Sequence, residues 1–190
     1  MKKILFISSR PIYPITGGDQ IRTAQQLELL CERFEVDVLY LTPNREDIAL
    51  ERFIPSIGHT YRIPMTHLQH YIQTLCFMFN KLPLQVNYYY SRRVSKFIDS
   101  IINNYDAVFC NNIRTAEYAK CYSVVKYLDF VDAISMNYDK ARKKARGIKR
   151  LIYSIDYKRC RHYEQKCLDV FDSCAIISDV DNKYIQSCVK

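Results

Sequence analysis

Apolar residues along this chain alternate between short unbroken runs and stripes at helical spacing. Lys3 to Ile7 is an apolar run of strand length, followed by the loop Pro11-Ile12-Tyr13-Pro14-Ile15-Thr16-Gly17-Gly18. From Asp19, a residue type that caps helices, Ile21, Ala24, Leu27, Leu30 and Phe34 recur at steps of three and four and predict an amphipathic helix. Val36 to Leu41 predicts a second strand, so the chain opens with a strand-helix-strand unit that demands a right-handed parallel crossover. Tyr61 to Ile63, closed by Pro64, is a short strand; Asp106 to Cys110, Val124 to Phe130 and Cys174 to Ile177 are three more. Thr66 to Asn80 and Ser91 to Ile102 carry helical spacing. Strands alternating with helices predict an α/β fold, a parallel sheet with helices on both faces. No repeat, low-complexity tract or linker divides residues 1–190.

Composition agrees with one compact domain. The 190 residues are 48% apolar and 25% charged with only 4 Gly and 6 Pro, which excludes disorder and fibrous classes. The N-terminus is basic and then apolar, but Ser8-Ser9-Arg10 ends the run too early for a signal peptide. No apolar run approaches the roughly 20 residues of a membrane span. The expected location is cytoplasmic, or peripheral at the inner face of the plasma membrane. Eight cysteines include no Cys-x-x-Cys pair, and Cys160, His162 and Cys167 lack a second ligand pair, so no metal site is expected.

Charge changes the picture more. The formal net charge is +8, and Asp139 to Lys166 alone holds 11 basic against 3 acidic residues. The remaining 17 basic and 17 acidic residues cancel, so the whole excess lies in one segment. Within it Ala141, Ala145, Ile148, Ile152 and Ile155 predict one continuous helical stripe flanked by Arg142, Lys143, Lys144, Arg146, Lys149 and Arg150. Such a helix either packs its stripe on the domain or lies on an anionic surface. Without a nucleic-acid-binding motif beside the charge, a membrane surface or phosphorylated partner is expected rather than RNA or DNA.

Candidate chemistry clusters beyond strand ends, where ligands of open α/β sheets bind. Gly17-Gly18 leads into a helix, where backbone N–H groups approach an anion, and Arg10 and Arg22 add charge; the alternative is a flexible turn. The loop is neither a dinucleotide fingerprint nor a P-loop. Asp129 and Asp132 follow a strand and suit a general base, or alternatively a helix cap and turn with Ser135. Arg114, beyond the strand ending at Cys110, is a phosphate or sugar contact or a surface ion-pair partner. Glu164 reads as structural, pairing with an arginine or capping a neighbouring helix. Tyr88-Tyr89-Tyr90-Ser91-Arg92-Arg93 suits stacking on sugars or bases or contact with headgroups, though such a run more often packs on a sheet edge, and His59, His67 and His70 read as ordinary surface or core histidines.

Taken together, Lys3 to Ile7, the proline loop, Gly17-Gly18, Arg22 and Phe34 to Leu41 resemble the start of family-4-like glycosyltransferases of the GT-B fold. The likeness continues through Leu82 to Val86, Tyr88 to Ser91, Tyr127 to Asp132 with Ser135, Tyr163-Glu164 and Ile176 to Asp179. It implies a Rossmann-like N-terminal, acceptor-side domain spanning residues 1–190. The reaction implied is sugar transfer from a nucleotide sugar to a hydroxyl of a glycan or lipid-linked acceptor, in cell-surface polysaccharide synthesis. Asp129 or Asp132 would be the base where many relatives have a histidine, and Gly17 and Gly18 would lie against the donor diphosphate. No cofactor is implied: the nucleotide sugar is a substrate, bound mainly by a C-terminal domain whose Glu-x7-Glu pair this sequence lacks. The stop at Cys188-Val189-Lys190 then reads as a cut near a domain boundary, and the chain alone is expected to be inactive.

Two other readings compete. Asp179-Val180-Asp181 follows a strand, as the metal-binding Asp-x-Asp of a GT-A-type transferase would, with too little chain after it for an acceptor side. The basic segment alone would also suit a non-catalytic module that docks on anionic membrane or nucleic acid.

Overall fold

The computed structural model describes residues 1–43 and 50–187, with backbone only at residues 76 and 77. The proposed cut at Cys188-Val189-Lys190 therefore lies outside the described residues. Six parallel strands form one sheet: β1 (Lys3–Ser8), β2 (Glu35–Thr42), β3 (Thr60–Pro64), β4 (Ala107–Asn111), β5 (Val125–Asp129) and β6 (Ser173–Ala175). Their order is β3-β2-β1-β4-β5-β6. The helices are α1 (Gly18–Cys31), α2 (His67–Phe77), α3 (Leu84–Tyr89), α4 (Arg92–Ile101), α5 (Ile134–Lys144), α6 (Gly147–Val170) and α7 (Asp179–Gln186), with a 3-10 segment at Ile113–Tyr118.

Alternation along the strands splits the core into two layers. Leu5, Ile7, Leu39, Val108, Cys110 and Leu128 face α4, α6 and the 3-10 segment, meeting Val94, Ile98, Cys160 and Tyr163. Phe6, Val36, Val38 and Tyr40 face α1, which buries Thr23, Ala24, Leu27 and Cys31. Over β4 and β5 this second face is open: Phe109, Val125 and Tyr127 line a cavity of about 420 Å³.

Two local expectations are corrected. Gly17, not Asp19, holds the N-cap position of α1, and Ile21 is exposed. Steps of three fall behind the helical period, so two of them carry Ile21 about 120° around the axis from buried Leu27. The basic segment is not one helix. α5 ends at Lys144, Ala145 and Arg146 are extended, and α6 begins at Gly147 with φ +56°, a left-handed turn that suits glycine. The expected stripe is thereby cut: Ala141 and Ala145 are half-buried, but Ile148, Ile152 and Ile155 face solvent.

The amino end of the sheet is tied by one buried carboxylate. Asp37 accepts from Tyr105 Oη at 2.7 Å and His59 N at 2.7 Å, and pairs with Lys3 Nζ at 3.2 Å. Burial pushes its carboxyl up, but these donors outweigh burial and hold it below the ordinary carboxylate range. A Cβ at Gly58 would overlap this carboxylate and meet Val36 O at 3.1 Å. Gly58→Ala should therefore cost about 1–3 kcal/mol in urea unfolding, the usual penalty for an overpacked site. Asp37 stabilisation is present above the ordinary carboxylate range and lost as pH falls through the lowered value, so Asp37→Asn should flatten the acid limb of the stability profile.

Candidate active site

The sheet order places a topological switch between β1 and β4: β1 leads to β2 on one side, and β4 to β5 on the other. Beyond their carboxyl ends the 9–17 loop borders a cavity of about 380 Å³. Gln20 braces that loop, accepting from Thr16 N (2.7 Å) and Thr16 Oγ1 (2.8 Å) and donating to Pro11 O (3.1 Å). Gly18 fronts open space at the start of α1. Arg10 is ion-paired with Asp19 in the first turn of α1, so an anion there would compete with that carboxylate.

Opposite the loop the wall is aromatic. Thr66 and Gln69 form a reciprocal capping box that starts α2 and sets His67 and His70 beside Tyr88. His70 Nδ1 donates to Tyr88 O at 2.6 Å, and the two rings stack at 4.5 Å. His67 Nδ1 lies 3.3 Å from Tyr88 Oη. Burial holds His70 below the ordinary imidazole value. The Tyr88-Tyr89 pair thus lines the cavity, where sheet-edge packing was the commoner expectation and ligand stacking the alternative. His67 and His70, spaced i,i+3 directly after a Thr-x-x-Gln box, were the available signal.

The two aspartates have separate surroundings. Asp129 is fully buried and accepts from Arg22 Nε at 3.0 Å, Gln26 Nε2 at 2.6 Å and Val131 N at 3.0 Å. Arg22 is thus engaged with Asp129, and Gln26, one turn further on, shares the task. Beyond β5 the chain makes a γ-turn: Asp132 N donates to Phe130 O at 2.7 Å and Val131 has φ +65°. A β-branched residue in that region is strained by about 1–3 kcal/mol, and such strain concentrates at functional sites.

The turn aims Asp132 at Asn137 Nδ2, 2.6 Å away. Burial raises the Asp132 carboxyl, and Asn137 and Arg114 oppose it. Arg114 donates to Gln85 Oε1 at 3.0 Å and lies 5.3 Å from the Tyr89 ring centre, so contacts run from the cavity wall toward Asp132. Asp132 does not cap α5. Buried Glu164 does, accepting from Ser135 N at 2.9 Å and Ser135 Oγ at 2.5 Å, the second of its two expected roles.

Asp181 accepts from Ala133 N at 3.3 Å and bonds Ser178, the N-cap of α7, with Asp179 in the first turn. Both Asp181 oxygens are thereby engaged in holding the α7 and α5 starts. Among the described residues no group of three or more His, Cys, Asp and Glu is arranged to hold a metal ion.

No protein-family model matches the chain, and no curated protein matches it. Among solved structures, Phytolacca americana UGT2 complexed with UDP-2fluoro-glucose and pterostilbene superposes with a TM-score of 0.53 at 12% identity, over 95% of this chain. The chain spans about half of that structure, 49%. The C-terminal domain of PF1911 hydrogenase from Pyrococcus furiosus superposes more weakly, with a TM-score of 0.43 at 18% identity over 67% of this chain and 89% of that one. The likeness to UGT2 shows a Rossmann-like α/β fold and does not reach family 4 in particular.

Burial, opposed by the Ser135 bonds, pushes Glu164 up to about 7. The folded state therefore holds this proton where the unfolded chain has released it. Its stabilising effect is full below the ordinary glutamate value and is lost as pH rises toward 7, roughly 3 kcal/mol across that window. Glu164→Gln should remove this downward slope in denaturation midpoints measured from pH 4.5 to 7.

Proposed function

We propose that this chain is the acceptor-side half of a glycosyltransferase that moves a sugar from a nucleotide sugar to a hydroxyl of a glycan or lipid-linked acceptor, in cell-surface polysaccharide synthesis. The observation that carries this reading is the strained Val131 turn, which holds Asp132 at the carboxyl end of a sheet with a glycosyltransferase-like fold. Asp132 is the base. It takes the acceptor hydroxyl proton as that oxygen bonds to the anomeric carbon, and the sugar–phosphate bond breaks with its electron pair leaving on the nucleotide diphosphate. Burial raises this carboxyl, and a raised carboxyl accepts that proton more readily.

Asp129, already holding three donors, serves as the anchor beneath it. The acceptor lies in the cavity against Tyr88 and Tyr89, whose ring faces suit sugar C–H groups, with Arg114 behind Tyr89. The donor diphosphate approaches Gly17 and Gly18 at the start of α1, where N–H groups and the helix dipole favour an anion. Arg10 joins it by exchanging Asp19 for phosphate, and Arg22 adds positive charge from beside Asp129. The nucleotide and its sugar are held mainly by a second, nucleotide-binding half, so residues 1–190 alone do not turn over.

The test uses the protein together with that second half and a panel of nucleotide sugars. Asp132→Asn should lower kcat by at least about 100-fold, the range for losing a general base, with little change in melting temperature. Asp129→Asn should chiefly lower stability, by about 1–3 kcal/mol, because the amide cannot accept at both oxygens and leaves a donor at this buried position unsatisfied. Full activity in Asp132→Asn would remove the base assignment.

A further inference from the structure

Two helices carry the same apolar quartet outward. On α6, Ile148, Leu151, Ile152 and Ile155 recur at i, i+3, i+4 and i+7 and are between 43% and 74% exposed. The stripe that packs this helix on the domain is a different one: Asp156, Cys160, Tyr163 and Cys167. On α2, Leu68, Tyr71, Ile72 and Leu75 repeat the spacing and are all at least half exposed. Among the described side chains of α2, those turned inward are polar: His70 is buried on Tyr88, and Gln73 and Thr74 are half-buried. Among its described side chains, α2 thus docks by polar groups and presents its apolar quartet to the outside, unlike the apolar-in pattern of an ordinary surface helix. Met78 and Phe79 extend that face, Phe79 at 89% exposure. The helices are joined where Arg159 of α6 donates to Met78 O at 3.1 Å and Leu82 O at 3.4 Å.

Exposed apolar residues on a soluble monomer are ordinarily scattered, whereas ordered contiguous patches mark an interaction site. Charge decides what covers this one. Lys143, Lys144, Arg146, Lys149 and Arg150 are all exposed immediately before or within the α6 quartet, and Lys81 is exposed at the junction with α2. Apart from Lys81, they belong to the segment that holds the chain's entire excess of +8. A second copy would bring like charge against like. Protein interfaces are depleted in lysine, whereas Ile and Leu beside clustered Lys and Arg is the composition of helices that lie in the headgroup boundary of a membrane. Among the described residues no helix is long and apolar enough to cross one.

We propose that the α2 and α6 faces dock the protein on an anionic lipid surface. Both quartets enter the headgroup boundary, and Lys143, Lys144, Arg146, Lys149 and Arg150 meet lipid phosphates. This assignment stands on the surface alone and is independent of the transferase reading.

Co-sedimentation of the full 190-residue chain with vesicles tests it, comparing phosphatidylcholine alone with phosphatidylcholine plus phosphatidylglycerol. Binding should be at least roughly tenfold tighter to the anionic vesicles and should weaken as salt rises. Leu151→Ser with Ile152→Ser, and separately Leu68→Ser with Ile72→Ser, should each weaken it by about tenfold or more. These positions are exposed, so far-UV circular dichroism should be unchanged. Lys149→Glu with Arg150→Glu should abolish the preference for anionic lipid. Equal binding to both vesicle types, binding to neither, or wild-type binding by both serine doubles would overturn the proposal. So would a dimer in light scattering that the serine substitutions dissolve, or preferential binding to RNA over anionic vesicles.

Discussion

The buried carboxylate of Asp129 is the constraint on which the site depends. One oxygen holds Arg22 and Gln26, one turn apart on α1, and the other holds the backbone of Val131. α1 follows β1 and Asp129 ends β5, so this group ties two connections that leave the sheet on opposite sides of its switch point. Asn111 at the end of β4 adds a parallel tie, donating to Thr23 Oγ1 of α1 at 3.2 Å. Fixing the Val131 N–H at Asp129 allows the chain to turn through a strained conformation directly afterwards, and that turn sets the direction of Asp132.

Burial divides the acids of this region by their surroundings. Asp129 is dry and saturated with donors, Glu164 is dry and spends its oxygens on the start of α5, and Asp132 remains partly open with a raised carboxyl. A carboxylate with few fixed donors is the one able to exchange protons with a ligand. α2 serves two surroundings in the same way. Its inward face brings His67 and His70 to the cavity wall while its outward face carries Leu68, Tyr71, Ile72 and Leu75. One short helix therefore connects the crevice to the apolar exterior.

Sequence patterning carried the strands well, because a buried parallel strand must be apolar along its whole length: Lys3 to Ile7, Val36 to Leu41 and Asp106 to Cys110 lie within a residue or two of β1, β2 and β4. Spacing left open whether the basic-segment stripe packs on the domain or faces outward, and it missed the break in that helix. Ile148, Ile152 and Ile155 have the period of a buried stripe and are exposed, and Gly147 breaks the helix they were assigned to. A period reports that residues share a face and not what that face touches. The aspartate pair was visible in sequence, but its division into a buried, multiply bonded carboxylate and a partly open one was not, since two of the Asp129 donors come from residues about 100 positions away.

By itself the sequence determined the α/β class, the parallel crossover at the amino end, the carboxyl-end placement of the glycine loop and the aspartates, and the confinement of the charge to one segment. These follow from local period, chain polarity and composition, which need no knowledge of distant contacts. Only the tertiary structure decided that Arg22 belongs to Asp129, that Glu164 rather than Asp132 caps α5, that His67, His70 and Tyr88 form one wall, and that two apolar quartets face outward. Each of those depends on which surfaces long-range packing brings together and which it leaves uncovered, and that is a property of the folded chain as a whole.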